Sequence, residues 1–286
     1  MTPAPAEPPY LSPDTAAALA AIAVEIGGIA VAPAKRDFIQ MRVSRRLREI
    51  GCADFESYLA SLKGPGGDEE ARRLVEALTT HTTSFFRERV HYDWLAAEGL
   101  PALVAQGAGR ERQLTVWSAA CSLGSELWSA GMTLDAFAAS QPGGGLRWAL
   151  VGTDISRKIL RRAANAVFTE DEISGLDEPM RRAWLLRSAE PRKGRTLYRI
   201  APELRGRARL AWANLVDLDP RLSLTADVAF LRNVLIYFRP DDQRRAVANV
   251  LGRLRTGGYL LTGHSESLSE PPAGLRQVRS SVYQKV

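Results

Sequence analysis

The residues best placed to do chemistry cluster around two apolar runs. Trp148–Thr153 (WALVGT) reads as a strand and ends in Asp154. A carboxylate closing the second strand of a nucleotide-binding sheet can accept both hydroxyls of a ribose. The stretch before it, Gln113–Gly131 (QLTVWSAACSLGSELWSAG), supplies the other half of such a site. Leu114, Val116 and Trp117 are β-prone, Ser118–Ser122 are mostly small, and Gly124 and Glu126 open an apolar helix. A strand, a small-residue turn and a helix present backbone N–H groups to a ligand. The chemistry implied is the binding of a nucleoside cofactor, with an ordinary βα turn and a surface Asp as the plainer alternative. Gly124 stands alone where a dinucleotide fingerprint needs three glycines, which disfavours a nicotinamide oxidoreductase.

Two further stretches carry polar residues in unusual company. In Thr79–Glu88 (TTHTTSFFRE), hydroxyls surround His81, and Phe85, Phe86 and Arg87 follow. Such a segment can line a polar ligand, or serve as a polar linker anchored by its phenylalanines. Arg232–Phe238 (RNVLIYF) follows a buried-type strand, Val228–Leu231. No metal site is expected. His81, His91 and His264 are scattered without ligand spacing, and Cys52 and Cys121 suggest neither a disulfide framework nor a metal cluster.

These residues need elements to hold them. Residues 1–14 read as a flexible N-terminal arm. Residues 15–78 read as an all-α domain: Thr15–Ile26 ended by Gly27-Gly28, Ala34–Ile50, Phe55–Leu62, and Glu69–Leu78 capped by Asp68. In the second helix Ile39, Val43, Leu47 and Ile50 share a face, and Lys35, Arg42, Arg45 and Arg46 share its flank. Residues 79–113 read as a linker and a helix, Val90–Gln106, that contribute to the site. From residue 114 to 286 strands and helices alternate, the pattern of a largely parallel sheet. Ser156 caps one helix; another starts at Pro240 and stops at Gly257-Gly258. Residues 167–209 break the rhythm as an insertion with a small antiparallel element, and Val278–Val286 can close the sheet antiparallel. The fold class expected is α/β: a small all-α domain plus a Rossmann-like domain with a β insertion.

The 286 residues are 45% hydrophobic and 24% charged, ordinary for a globular chain. No apolar run is long enough to span a bilayer, and the Pro-rich N-terminus lacks a signal peptide's apolar stretch, so a cytoplasmic location and no membrane insertion are expected. The net charge of +6, with a pI near 9.6, favours an acidic partner. Nucleic acid is not expected, because no aromatic-plus-basic base-reading motif is present.

Taken in order, TTHTTSFFRE, WSAACSLGSE, GTDIS, ANL, RNVLIYF and GHSES resemble the CheR family, the S-adenosylmethionine-dependent methyltransferases that esterify glutamates on bacterial chemoreceptors. The resemblance runs from about Thr15 to the end. It implies S-adenosylmethionine as cofactor, S-adenosylhomocysteine as product and a chemoreceptor cytoplasmic domain as partner, acted on by a monomer. It implies cofactor contacts at Thr83, Arg87, Glu126, Asp154, Asn214, Leu215, Arg232 and Asn233, and at His81, where the family usually has Asn. Arg87 and Tyr237 would lie near the transferred methyl group. The basic flank, Lys35, Arg42, Arg45 and Arg46, would contact the receptor. His264 and Glu266 receive no catalytic role. Leu123, Ser125, Leu127 and Trp128 depart from the family's turn around the methionine end of the cofactor. The altered turn leaves a second reading open, a relative that binds cofactor or receptor without efficient turnover. The loop Glu190–Arg195 (EPRKGR) is a basic part of the insertion, the subdomain that in the family can bind a receptor's peptide tail.

The chemistry so implied suits these residues. Methyl transfer from a sulfonium to a carboxylate is a direct displacement, and a glutamate with an ordinary pKa of about 4.3 is already ionised near neutrality. No general base is required. Alignment and desolvation are, and the planar fork of Arg87 can orient a carboxylate.

Overall fold

Ser12 opens the first helix. Its hydroxyl accepts the Thr15 N–H at 3.1 Å, Pro13 fixes the first turn, and Gly28 at φ +70° closes the far end. The computed structural model describes residues 9–142, 145–191, 194–268 and 271–286. Helix α1 (Pro13–Gly27) packs with α2 (Arg36–Ile50), α3 (Phe55–Ser61) and α4 (Gly67–Leu78). Ile39, Val43 and Leu47 are buried as their spacing requires, but Ile50 is exposed, because Gly51 at φ +69° ends α2 there.

Two expectations need correction. Leu11 is fully buried and Pro13 and Asp14 are already helical, so order begins inside the stretch read as an arm; residues 1–8 lie outside the described residues. Asp68 is not a cap. Gly66 at φ +80° caps α4, which starts two residues earlier, at Gly67, where a side chain would meet the Leu62 carbonyl oxygen at 2.2 Å. These helices and residues 237–244 form one unit; residues 81–236 and 245–286 form the other.

In the second unit a helical run holds α5 (Val90–Trp94), a π turn (Leu95–Gly99) and α6 (Leu100–Ala105). Pro101 has no N–H to donate, and the wider turn precedes it. Then come β1 (Leu114–Ser118), α7 (Ser125–Ser140), β2 (Trp148–Asp154) and α8 (Arg157–Asn165), the last capped by the Ser156 hydroxyl on the Ile159 N–H. The insertion follows with β3 (Val167–Thr169), α9 (Glu178–Trp184), β4 (Leu185–Arg187), β5 (Leu197–Ile200) and α10 (Pro202–Arg205). Its strands form an antiparallel sheet in the order β3-β5-β4. In the loop EPRKGR, Arg192 and Lys193 lie outside the described residues.

The chain returns through β6 (Ala208–Trp212), β7 (Ala226–Leu231), α11 (Pro240–Arg253), β8 (Leu254–Thr262), β9 (Leu275–Arg279) and β10 (Val282–Lys285). The insertion is therefore shorter than residues 167–209, because β6 pairs with β2 from Ala208 onward. Helix α11 also stops four residues before Gly257. That glycine, at φ +81°, lies within β8, where the register against β7 shifts, as at a bulge. The main sheet runs β6-β2-β1-β7-β8-β10-β9, with the first five parallel and β10 antiparallel to both neighbours. Every residue of β7 is buried, as a central parallel strand covered on both faces should be. No helix among the described residues is long and apolar enough to cross a membrane.

Candidate active site

The strand order reverses at β1. From there the chain builds outward through β2 and β6, then returns to β7 on the other side. In an open parallel sheet such a switch leaves a crevice beyond the carboxyl ends of the strands. Asp154 ends β2, Asn214 follows β6, Arg232 and Asn233 follow β7, and Glu126 lies in the first turn of the helix after β1. One edge therefore carries all of them.

The β1–α7 turn is tied to both neighbouring strands. The Ala119 N–H donates to the Phe230 carbonyl at 2.9 Å and the Cys121 N–H to the Thr153 carbonyl at 2.8 Å. Gly124, at φ +94°, precedes α7, and a Cβ there would sit 2.8 Å from Trp128 Nε1. That indole N–H is buried without a partner. Asp154 is buried, and its two carboxylate oxygens accept the N–H groups of Ser122 and Ser156, each at 2.9 Å. Burial raises its pKa, against the pull of the Ser156, Ser122 and Ile155 N–H groups.

Arg232 is the hub of the site. Its side chain is fully buried; Nη1 donates to Glu126 Oε2 and to the Tyr92 hydroxyl, each at 3.2 Å. Nη2 donates to the Arg87 carbonyl and pairs with Glu88 at 3.1 Å. Burial works against the guanidinium charge, but Glu126, Tyr92 and Glu88 outweigh it and raise its pKa. Burial likewise opposes the charge on Glu88, and Arg232 nevertheless holds that carboxyl below its ordinary range. Glu126, also bonded by Ser118 Oγ at 2.7 Å, is pushed up by burial. Removing one partner of such a buried pair costs about 3–5 kcal/mol. Asn233 takes a left-handed backbone, φ +56°, and its N–H donates to Glu266. Glu266 also accepts the N–H groups of Ile236 and Gly263, so it sets the shape of the β7 turn.

Arg87 lies on a segment pinned from both sides. Phe85 is buried edge-on against Phe168 at 4.9 Å, and the Phe86 N–H donates to Ser129 Oγ at 2.9 Å. Phe86 and Glu88 both have positive φ, at +51° and +56°. The Arg87 side chain is exposed, and its Nη1 donates to the Thr82 carbonyl of its own segment at 3.3 Å. The same segment meets the β1–α7 turn where Ser122 Oγ donates to the His81 carbonyl at 3.3 Å. Thr83 is half-buried.

Asn214 and Leu215 are buried; the Asn214 side-chain oxygen accepts the Val216 N–H at 3.1 Å and the Leu215 carbonyl accepts Asn249 Nδ2 at 2.9 Å. Tyr237 is described with the helical unit, where its carbonyl accepts the Ala30 N–H at 2.6 Å. Lys35, in the turn just before α2, and Arg45 on α2 are exposed, and Arg42 lies over the Phe38 ring at 5.2 Å. Arg46 differs. It makes two 2.6 Å bonds to Glu70, which also accepts the Tyr58 hydroxyl at 2.9 Å, so this guanidinium ties α2 to α4.

Sequence reasoning passed over Glu88, Tyr92 and Glu266, which hold Arg232 and Asn233 in place. Glu88 and Glu266 sat in motifs already singled out, but their partners are far away in the chain. Two of the three histidines scattered in the sequence meet in space: His91 and His264 lie ring to ring at 5.0 Å beside Glu88. Burial, with Arg232 adding to it, lowers the His91 pKa to about 4.

The edge suits a nucleoside with a charged tail. Gly124 leaves room beside an unpartnered indole N–H, Asp154 offers carboxylate oxygens, and Asn214 a carboxamide. Residues 81–284 match the family model described as CheR methyltransferase, SAM binding domain, and residues 17–79 the one described as CheR methyltransferase, all-alpha domain. The chemotaxis protein methyltransferase of Escherichia coli is 33% identical over 242 residues, 85% of this chain and 80% of that protein. Chemotaxis protein methyltransferase 2 of Pseudomonas aeruginosa is 32% identical over 257 residues, 90% of this chain and 87% of its own.

Proposed function

The chain belongs to the CheR methyltransferase family, and from that footing we propose that it moves a methyl group from S-adenosylmethionine to glutamate carboxylates of a chemoreceptor cytoplasmic domain. The observation that carries the reading is the gathering of Asp154, Asn214, Arg232 and Asn233 at one sheet edge within the matched methyltransferase domain. Bound S-adenosylmethionine supplies an electrophilic methyl group on a sulfonium.

The chain's own residues supply position. Asp154 accepts the ribose hydroxyls, and Asn214 with Leu215 borders the base. Arg232 and Glu126 pair with each other and shape the floor, and Arg232 fixes Arg87 through its carbonyl. His81, Thr83 and Asn233 line the amino-acid end. Arg87 orients the incoming carboxylate as a two-pronged donor, and Tyr237, on the resemblance of RNVLIYF, closes the methyl end. The proton balance is simple: a carboxylate attacks, a neutral ester and a neutral thioether leave, and no base intervenes. The exposed Lys35 and Arg45, with the half-buried Arg42, form the basic stripe for the acidic receptor. Nothing in the substituted turn favours a relative without turnover, since the turn closes on β2 and β7 through the Ala119 and Cys121 N–H groups.

The test is transfer of label from methyl-labelled S-adenosylmethionine to a receptor cytoplasmic domain. The expected product loses its label as methanol in mild base. Base-stable label, or none with several receptors, would contradict the assignment.

A further inference from the structure

Glu88, His91 and His264 come from separate elements: the pinned segment before α5, α5 itself and the turn after β8. Glu88 Oε2 lies 3.5 Å from His91 Nδ1 and 3.8 Å from His264 Nε2, and one ligand atom from each residue falls within 4.8 Å of the others. Adjacent ligand atoms around a tetrahedral zinc ion, with bonds near 2.0–2.2 Å, stand about 3.3 Å apart. The three atoms are therefore within a few tenths of an ångström of that spacing on the two sides through Glu88, and the half-exposed His264 ring can turn to complete it.

A second observation points to a ligand. The His91 ring is 1% exposed, and neither of its nitrogens has a hydrogen-bond partner. Buried polar atoms in folded proteins are nearly always satisfied, and an exception calls for an explanation such as a bound ion. The orphaned imidazole faces the Glu88 carboxylate and the other imidazole.

We propose that Glu88, His91 and His264 form a three-ligand site for a divalent transition-metal ion of the zinc class. Two imidazoles and a carboxylate are a ligand set that such ions favour, and the exposed side of His264 leaves a fourth position to water. Arg232 does not exclude the ion. A carboxylate has lone pairs for both, and a ligating carboxylate is usually held by a further hydrogen-bond donor, the part Arg232 Nη2 plays at 3.1 Å. Charge agrees as well. Glu88 and Glu126 both pair with the Arg232 guanidinium, so two carboxylates face that cation. The ion would fasten the Arg87 segment to the turn after β8, which also holds Asn233. The proposal concerns metal binding itself and stands apart from the methyl-transfer reading.

The experiment titrates the full chain, free of any affinity tag, with zinc by calorimetry and with cobalt by visible absorption. One ion per chain is expected, with the cobalt spectrum of an ordered low-coordinate site. Because His264 is half-exposed, His264→Gln should fold, as circular dichroism will check, and should bind about 10–100-fold more weakly. Glu88→Gln should weaken binding in the same direction. No saturable binding, or equal affinity in the wild type and His264→Gln, would overturn the site.

Discussion

Arg87 stands between two residues in left-handed backbone, Phe86 and Glu88, and such conformations cost about 1–3 kcal/mol each for non-glycine residues. The strain is held by the buried Phe85, by Ser129 and by the grip of Arg232 on the Arg87 carbonyl. The guanidinium is thereby aimed while remaining unpaired with any carboxylate among the described residues. A lysine there would keep the charge and lose the planar fork. Arg87→Lys should retain most of the cofactor affinity in calorimetry and lose roughly ten- to a hundredfold in methyl transfer, the scale for a misplaced reacting group. A parallel fall in both would mean that Arg87 serves the cofactor or the fold instead. Asp154→Ala belongs to the opposite case. It should weaken S-adenosylhomocysteine binding by about 1.5–3 kcal/mol, the loss of hydrogen bonds to a charged group, and unchanged affinity would remove Asp154 from the ribose.

At the scale of elements, the stripe on α2 separates into two kinds of residue. Arg46 is bound on both prongs by Glu70, with Tyr58 behind it; Lys35 is exposed just before the helix, Arg45 is exposed beside Glu49, and the half-buried Arg42 lies over Phe38. Neutralising Lys35, Arg42 and Arg45 together should slow receptor methylation and flatten its salt dependence, with cofactor affinity unchanged. Arg46→Ala should instead lower the melting temperature, with a stability loss of about 1–3 kcal/mol from the unpaired Glu70. If the triple variant methylates at the wild-type rate and salt dependence, the stripe is only a solvated surface. Periodicity found α2 and its buried face, but it could not tell a docking arginine from a tying one. That distinction rests on Glu70, which lies on another helix.

Across the whole molecule, the legible features were local ones. Asp154, Gly124 and the alternation of strands and helices are readable because a strand end, a turn and a period are each properties of a few neighbouring residues. The buried network was not, since Arg232 reaches Glu126 across 106 positions and the Arg87 carbonyl across 145. His264 and Glu88 meet across 176. The chain's ends of elements were misread where glycine geometry decided them: Gly66 starts α4 ahead of Asp68, and Gly257 bends a strand and does not stop a helix.

The central claim is that this edge makes glutamyl methyl esters. Mass spectrometry of a chemoreceptor cytoplasmic domain after turnover with S-adenosylmethionine tests it most directly, with Asp154→Ala as the paired control. The account predicts methyl groups on glutamate side chains, removable by base and strongly reduced in the control. Methyl groups found only on other side chains, or glutamates left unmodified by a wild-type chain that demonstrably binds S-adenosylhomocysteine, would contradict it.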